Sequence, residues 1–123
     1  TLMEFPNMLR TERKSGLIHT VKYFDLDDEG LAIDVHFFNR AISSPGADNA
    51  PFAPADTETL AWIGTAAFSA FNDFNTSQTS GGAYYIAVPP QAGTSIWAHA
   101  VAKGALNIAA GQLPRIEICV IPD

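Results

Sequence analysis

The chain has 123 residues, enough for one domain with a single ordinary core. Seven Lys and Arg against 13 Asp and Glu leave a net charge of −6, which repels phosphate backbones and excludes general nucleic-acid binding. No apolar run approaches the ~20 residues of a membrane-spanning helix, and no secretory signal region opens the chain, so no membrane is expected as a partner.

In chain order, residues 1–15 stand apart. Leu2, Met3, Phe5, Met8 and Leu9 are apolar, Pro6 interrupts regular structure, and Arg10, Arg13 and Lys14 are basic. This is the one part of the chain with a positive balance, and it reads as an N-terminal arm ahead of a single β-sandwich domain over 16–123. Two readings of the arm stand side by side. In one it orders on a neighbouring subunit, with Leu2, Phe5, Met8 and Leu9 as apolar anchors and Arg10, Arg13 and Lys14 meeting carboxylates. In the other it is an edge strand tied down on its own sandwich.

The stretch 16–26 alternates as a strand, followed by an acidic turn, Asp27-Asp28-Glu29-Gly30. Leu31, Ile33, Val35 and Phe37 then recur at every second position, the period of a half-buried strand. The acidic turn is expected to join these two strands as a central hairpin. Residues 39–55 carry turn chemistry, and 54–63 predict a short helix with Pro54 in its first turn, Asp56 and Glu58 at the positive end of its dipole, and Gly64 as its stop. Strands are predicted over 65–74, 83–88, 94–102 and 115–121, with a polar loop at 75–82. The fold class is therefore all-β, an antiparallel jelly-roll-like (Greek-key) sandwich with one short helix. The long connections 39–64 and 103–114 are expected to cross between sheets. Leu17 or Ile18, Ile33, Val35, Phe37, Leu60, Phe68, Ile116 and Ile118 are the expected core.

No catalytic constellation emerges. His19, His36 and His99 have no metal-ligand spacing, although a barrel that gathers ligands from separate strands remains a reading of them. Asp25, Asp27, Asp28 and Glu29 lack the spaced pattern of a calcium loop. The single Cys119 lies in an apolar run and excludes an intrachain disulfide and a thiolate metal cluster. No enzyme activity, metal or cofactor is expected. Charged residues are only 16% of the chain, against about 25% in average domains, so part of the surface is expected to be covered in an assembly. The adjacent pairs Phe37-Phe38 and Tyr84-Tyr85 point the same way. Neighbours on a strand face opposite sides, so one member of each pair leaves its own core unless something covers it.

The order of short motifs adds a resemblance. Ser15-Gly16-Leu17-Ile18 precedes the acidic turn, then Ala32-Ile33-Asp34-Val35-His36-Phe37-Phe38, then Phe52-Ala53-Pro54-Ala55-Asp56 and Ile63-Gly64. Ala83 to Pro89, Trp97-Ala98-His99-Ala100-Val101-Ala102-Lys103-Gly104 and a closing strand ending at Asp123 complete it. Over residues 15–123 this pattern is similar to small structural proteins of tailed bacteriophages, especially jelly-roll decoration (cement) proteins of the capsid. The resemblance implies a non-enzymatic virion protein on the outer capsid surface, made in the bacterial host cytoplasm. It would bridge and stabilise major capsid subunits, with the major capsid protein as partner and a dimer or trimer as its own assembly. The alternative from a different class is a carbohydrate- or receptor-binding β-sandwich module.

Overall fold

A computed structural model describes residues 2–43, 51–105 and 113–123. The chain is an antiparallel β-sandwich of two four-stranded sheets. Its strands are β1 (Leu2–Phe5), β2 (Gly16–Asp25), β3 (Ile33–Phe38), β4 (Trp62–Phe68), β5 (Asn72–Asp73), β6 (Gln78–Val88), β7 (Ile96–Ala102) and β8 (Arg115–Pro122), with one helical turn, α1 (Asp56–Thr59), between β3 and β4. Sheet A has the order β1-β7-β3-β4 and sheet B the order β5-β6-β2-β8. The all-β class is thus as the alternation of apolar residues required.

The core lies between the sheets. Ile33, Val35 and Phe37 of β3 face Ile18, Val21 and Tyr23 of β2, joined by Phe68, Ile86, Val88, Ile96 and Ala98. Phe37, Val35, Ile18, Val21 and Ile96 are fully buried. Strict alternation would put Ile18 and Val21 on opposite faces. They share one face because the pairing of β2 with β8 slips between Ile18 and Thr20, so that His19 is an extra residue, a bulge that restarts the parity.

Several expectations change. The acidic turn is not a hairpin: β2 and β3 lie in different sheets, and residues 26–32 carry the chain across the edge of the sandwich. The connection 39–61 does not cross between sheets, since β3 and β4 pair directly; its described residues, 39–43 and 51–61, pack over their own sheet. The helix is one turn, and the chain is extended again from Trp62. Gly64 is a strand residue, because a Cβ there would come within 2.6 Å of Ile86 Cγ2. Leu60 is 82% exposed rather than core; Glu58 and Ala61 turn inward instead, with Glu58 accepting from Ser43 N–H and Oγ–H. Finally, Gln78 to Gly82 belong to β6 and not to a loop. They pair antiparallel with Val21 to Asp25. Ile116 and Ile118 are partly buried against the core. The connection 103–114 does pass from sheet A to sheet B, although 106–112 fall outside the described residues.

The N-terminal segment is laid on its own sandwich. Leu2 to Phe5 pair with His99 to Ile96, Met3, Phe5 and Met8 pack against the core, and Leu9 is inside it at 5% exposure. Of the two readings of residues 1–15 this is the edge strand, because only by pairing with β7 do four apolar side chains leave water. Gly16 makes the close approach workable: a Cβ there would sit 2.7 Å from Ile121 O and 3.2 Å from Leu9 Cδ2.

Two outcomes check this packing. Phe37→Ala is expected to cost ~3–5 kcal/mol in urea unfolding, the range for a fully buried Phe, while Leu60→Ala changes stability by less than about 0.5 kcal/mol. A chain lacking residues 1–12 is expected to melt at a clearly lower temperature; an unchanged melting temperature would contradict the placement of Leu9 in the core.

Candidate functional site

The two outer faces of the sandwich differ. On sheet A, Phe38, Trp97 and His99 point away from the core, and the 39–61 connection folds over them. Phe38, Ile42 and Ala61 form a second buried cluster, with Leu2, Phe52 and Trp97 against it. Phe52 stacks on both His36 and His99, with centroids 5.0 Å and 4.8 Å away and planes within 16°. The His36–His99 register across β3 and β7 puts these rings side by side. The member of the Phe37-Phe38 pair that leaves the main core is therefore covered from within the chain.

Beside that cover a cleft of about 310 Å³ remains, lined by His36, Phe38, Phe52, Pro54, Trp62 and Thr65 among others. Thr65 Oγ1 accepts from Trp62 Nε1–H at 2.9 Å and lies 2.8 Å from His36 Nδ1. Burial holds the His36 pKa below its ordinary 6.5, with Asp34 opposing and Lys103 adding to the shift. Asp34 and Lys103 pair with each other at 2.6 Å, which blunts both influences.

Among the described residues, sheet B is open on its outer side. The residues that the register lines up there are Leu17, Thr20, Lys22 and Phe24 of β2, Thr79, Gly81, Ala83 and Ala87 of β6, and Arg115, Glu117, Cys119 and Ile121 of β8. Lys22 stands opposite Glu117, so most of this face is neutral. Ile121, Phe74 and Tyr85 are 53%, 64% and 63% exposed, and Cys119 is exposed too. A trough of about 560 Å³ runs along it between Phe24, Lys22, Phe74 and the Gly81-Gly82 pair; the two glycines leave it without side-chain walls on the β6 side.

Tyr85 is the unusual residue of this face. Its φ is +52°, a left-handed conformation that costs a residue with a Cβ roughly 1–2 kcal/mol. It sits where β6 carries one more residue than β2 between the Ile18–Ile86 and Thr20–Ala83 pairs. The irregularity lets Tyr84 turn inward, its ring edge-on to Phe68 and its hydroxyl donating to Ala67 O at 2.9 Å. Tyr85 is turned outward, held only by an edge-on contact with His19. Strain of this kind persists where the surroundings over-determine it, and it concentrates at working surfaces. The adjacency of the tyrosines signalled in the sequence that one of them leaves the core; the left-handed backbone was not legible there, because positive φ is ordinarily signalled by Gly or Asn.

Of the residues expected to bind a partner, Leu2, Phe5, Met8 and Leu9 are spent on this chain's own cluster and core, as described. Arg10 and Arg13 are exposed and Lys14 half-buried, on the turn that leads into β2. The structure does not gather the seven into one patch. Among the described residues no group of three or more His, Cys, Asp or Glu is placed to hold a metal ion.

The depressed His36 pKa has a consequence. A histidine that binds its proton less readily when folded than when unfolded contributes stability above pH 6.5, and that contribution is lost as pH falls through the folded pKa. The melting temperature is therefore expected to drop between pH 7.5 and pH 5, and His36→Gln to flatten part of that drop; equal slopes for both proteins would contradict the burial of the ring.

Comparisons with models of protein families, with curated proteins and with solved structures find no match.

Proposed function

We propose that the protein is a decoration (cement) protein of a tailed-phage capsid, docked on the outer surface of the head and bridging major capsid subunits. The observation that carries this reading is the open face of sheet B. A wide sheet face with exposed Tyr85, Phe74 and Ile121 and few charges, among them Lys22 and Glu117 of opposite sign at facing strand positions, is suited to be covered. Aromatic enrichment with depleted charge is the composition of an interface core. The acidic chain suits a surface away from packaged DNA, and the motif order over residues 15–123 resembles such proteins. The work of the protein in this reading is mechanical: it adds buried area across the seams between capsid subunits, and so opposes their separation under internal pressure.

A second reading rests on the cleft of sheet A. Trp62 is 52% exposed beside Phe52 and the Thr65 and Thr59 hydroxyls, an aromatic wall with polar neighbours of the sort that receives a sugar ring. Glycan-array binding that is lost in Trp62→Ala would favour it.

Co-sedimentation of the purified chain with heads assembled from the major capsid protein of the encoding virus tests the first reading. Saturable binding and a raised melting temperature of the heads are expected. Tyr85→Asn is expected to weaken binding by about tenfold or more, as truncation of an aromatic interface anchor does, while its own fold is kept because Asn tolerates the left-handed backbone. Heads that neither bind the chain nor gain stability would overturn the reading.

A further inference from the structure

Among the described residues the longest open strand edge belongs to β8, and we propose that two copies of the chain pair there, antiparallel about a two-fold axis through Cys119, to make one continuous eight-stranded sheet. The other edges offer less. β1 and β5 have four and two residues, and on β4 the Ala67 carbonyl already accepts the Tyr84 hydroxyl. β8 has eight residues and ends the order of sheet B.

Its backbone is arranged for pairing. Asp123 N–H donates to Ser15 O on the β2 side. Donors alternate along a strand, so Cys119 and Ile121 also turn their N–H groups toward β2, and Ile116, Ile118 and Val120 turn theirs outward. Pro122 falls on the outward set, where its missing N–H leaves no gap in the β2–β8 ladder.

The sequence of β8 chooses its own register. With Cys119 opposite Cys119 of the second copy, Ile118 lies opposite Val120, Glu117 opposite Ile121, Ile116 opposite Pro122, and Arg115 opposite Asp123. Ile118 and Val120 exchange N–H···O bonds in both directions, and Ile116 N–H reaches the Pro122 carbonyl. Each end of the paired strands then carries an Arg115–Asp123 contact of opposite charge, twice by symmetry, beside the Ser15 hydroxyl whose hydrogen bond Asp123 Oδ2 accepts at 2.7 Å within its own chain. Sliding the copies by one pleat towards the start of β8 puts Glu117 opposite Cys119 and Arg115 opposite Ile121; sliding them the other way puts Cys119 opposite Ile121, and both slides separate Arg115 from Asp123. The register centred on Cys119 alone pairs every charge at the ends and keeps the whole strand engaged. It also continues the inner row, since Ile116, Ile118 and Val120, only half-buried at this edge, gain the second copy's Ile118, Val120 and Pro122 as neighbours. An isologous contact of this kind closes on itself and forms no fibre.

The pairing stands independently of the capsid reading, since it requires no capsid. Cys119 points to the outer face and its backbone toward β2, so the two Cys119 residues form a non-hydrogen-bonded pair with Cα atoms about 4.5 Å apart, within the span of a disulfide. The full chain is expected to run as a dimer by light scattering at micromolar concentration. Copper–phenanthroline, which takes up the two electrons released by the thiols, should convert it to a covalent dimer, and Cys119→Ser should abolish the cross-link but not the dimer. Arg115→Asp is expected to raise the dissociation constant roughly tenfold by facing Asp123 with like charge, and so is Asp123→Arg; the double variant Arg115→Asp/Asp123→Arg, which swaps the charges across the same register, should restore it. A monomer or a trimer in solution overturns the proposal, as does a dimer that neither cross-links at Cys119 nor responds to the charge swap.

Discussion

The Asp25 carboxylate holds the corner on which the two sheets are assembled. It is buried at 5% exposure and accepts Asp27 N–H at 3.2 Å and Gly30 N–H at 3.0 Å. Those bonds satisfy backbone donors of a segment that leaves the middle of sheet B and enters the middle of sheet A. Asp28 and Gly30 both take positive φ, so the chain reverses tightly enough for β2 and β3, each flanked by strands on both sides, to lie face to face. Tyr23 next to the corner is pushed up to about 12, by its burial first and then by Asp25 and Glu29; its hydroxyl keeps its proton, and its ring stacks on Phe68 of the opposite sheet. A hydrogen bond to a charged group contributes about 1.5–3 kcal/mol, so loss of this carboxylate would loosen the turn that joins the two central strands.

From that corner follows the asymmetry of the outer faces. Strands β3 and β4 pair in one sheet, and the described residues of the connection between them, 39–43 and 51–61, pack back over sheet A. Glu58 anchors it to Ser43, Asn39 N–H to Ala61 O at 2.8 Å, and Phe52 to the two histidines. Among the described residues, sheet B has no such connection. Its hairpin between β5 and β6 is closed by Phe74 N–H donating to Ser77 O, too short to cover anything. One face is thus covered by residues of the chain itself, and the other carries exposed Tyr85, Phe74 and Ile121. The strained Tyr85 projects from the second.

The architecture was legible in the residues where periodicity is a local property. Ile33, Val35 and Phe37 alternate because one face of β3 is buried, and that pattern reads directly. Which sheet a strand joins is not local. Asp27-Asp28-Glu29-Gly30 specifies a reversal, but the same residues serve a hairpin and a crossing between sheets. Gly64 looked like a helix stop because glycine commonly is one; its reason lies across the sandwich, in Ile86. Gly81-Gly82 looked like a loop because small polar residues carry no apolar period, although backbone pairing with β2 needs none. The apolar residues of the first segment were plain, whereas their destination depended on the edge of β7, nearly a hundred positions away. At the candidate site, the paired tyrosines and the low charge signalled an uncovered face, and the bulge that aims Tyr85 did not show, since it arises from a count mismatch between two strands.

The account rests on the open face of sheet B being the surface that docks. Hydroxyl-radical footprinting of the chain free and bound to capsid heads reads this most directly, because both faces carry reactive exposed side chains. Protection of Tyr85 and Phe74 on binding, with Trp62 and Leu60 as reactive as in the free chain, is the required result. Protection of Trp62 and Leu60 with Tyr85 and Phe74 unchanged would contradict it.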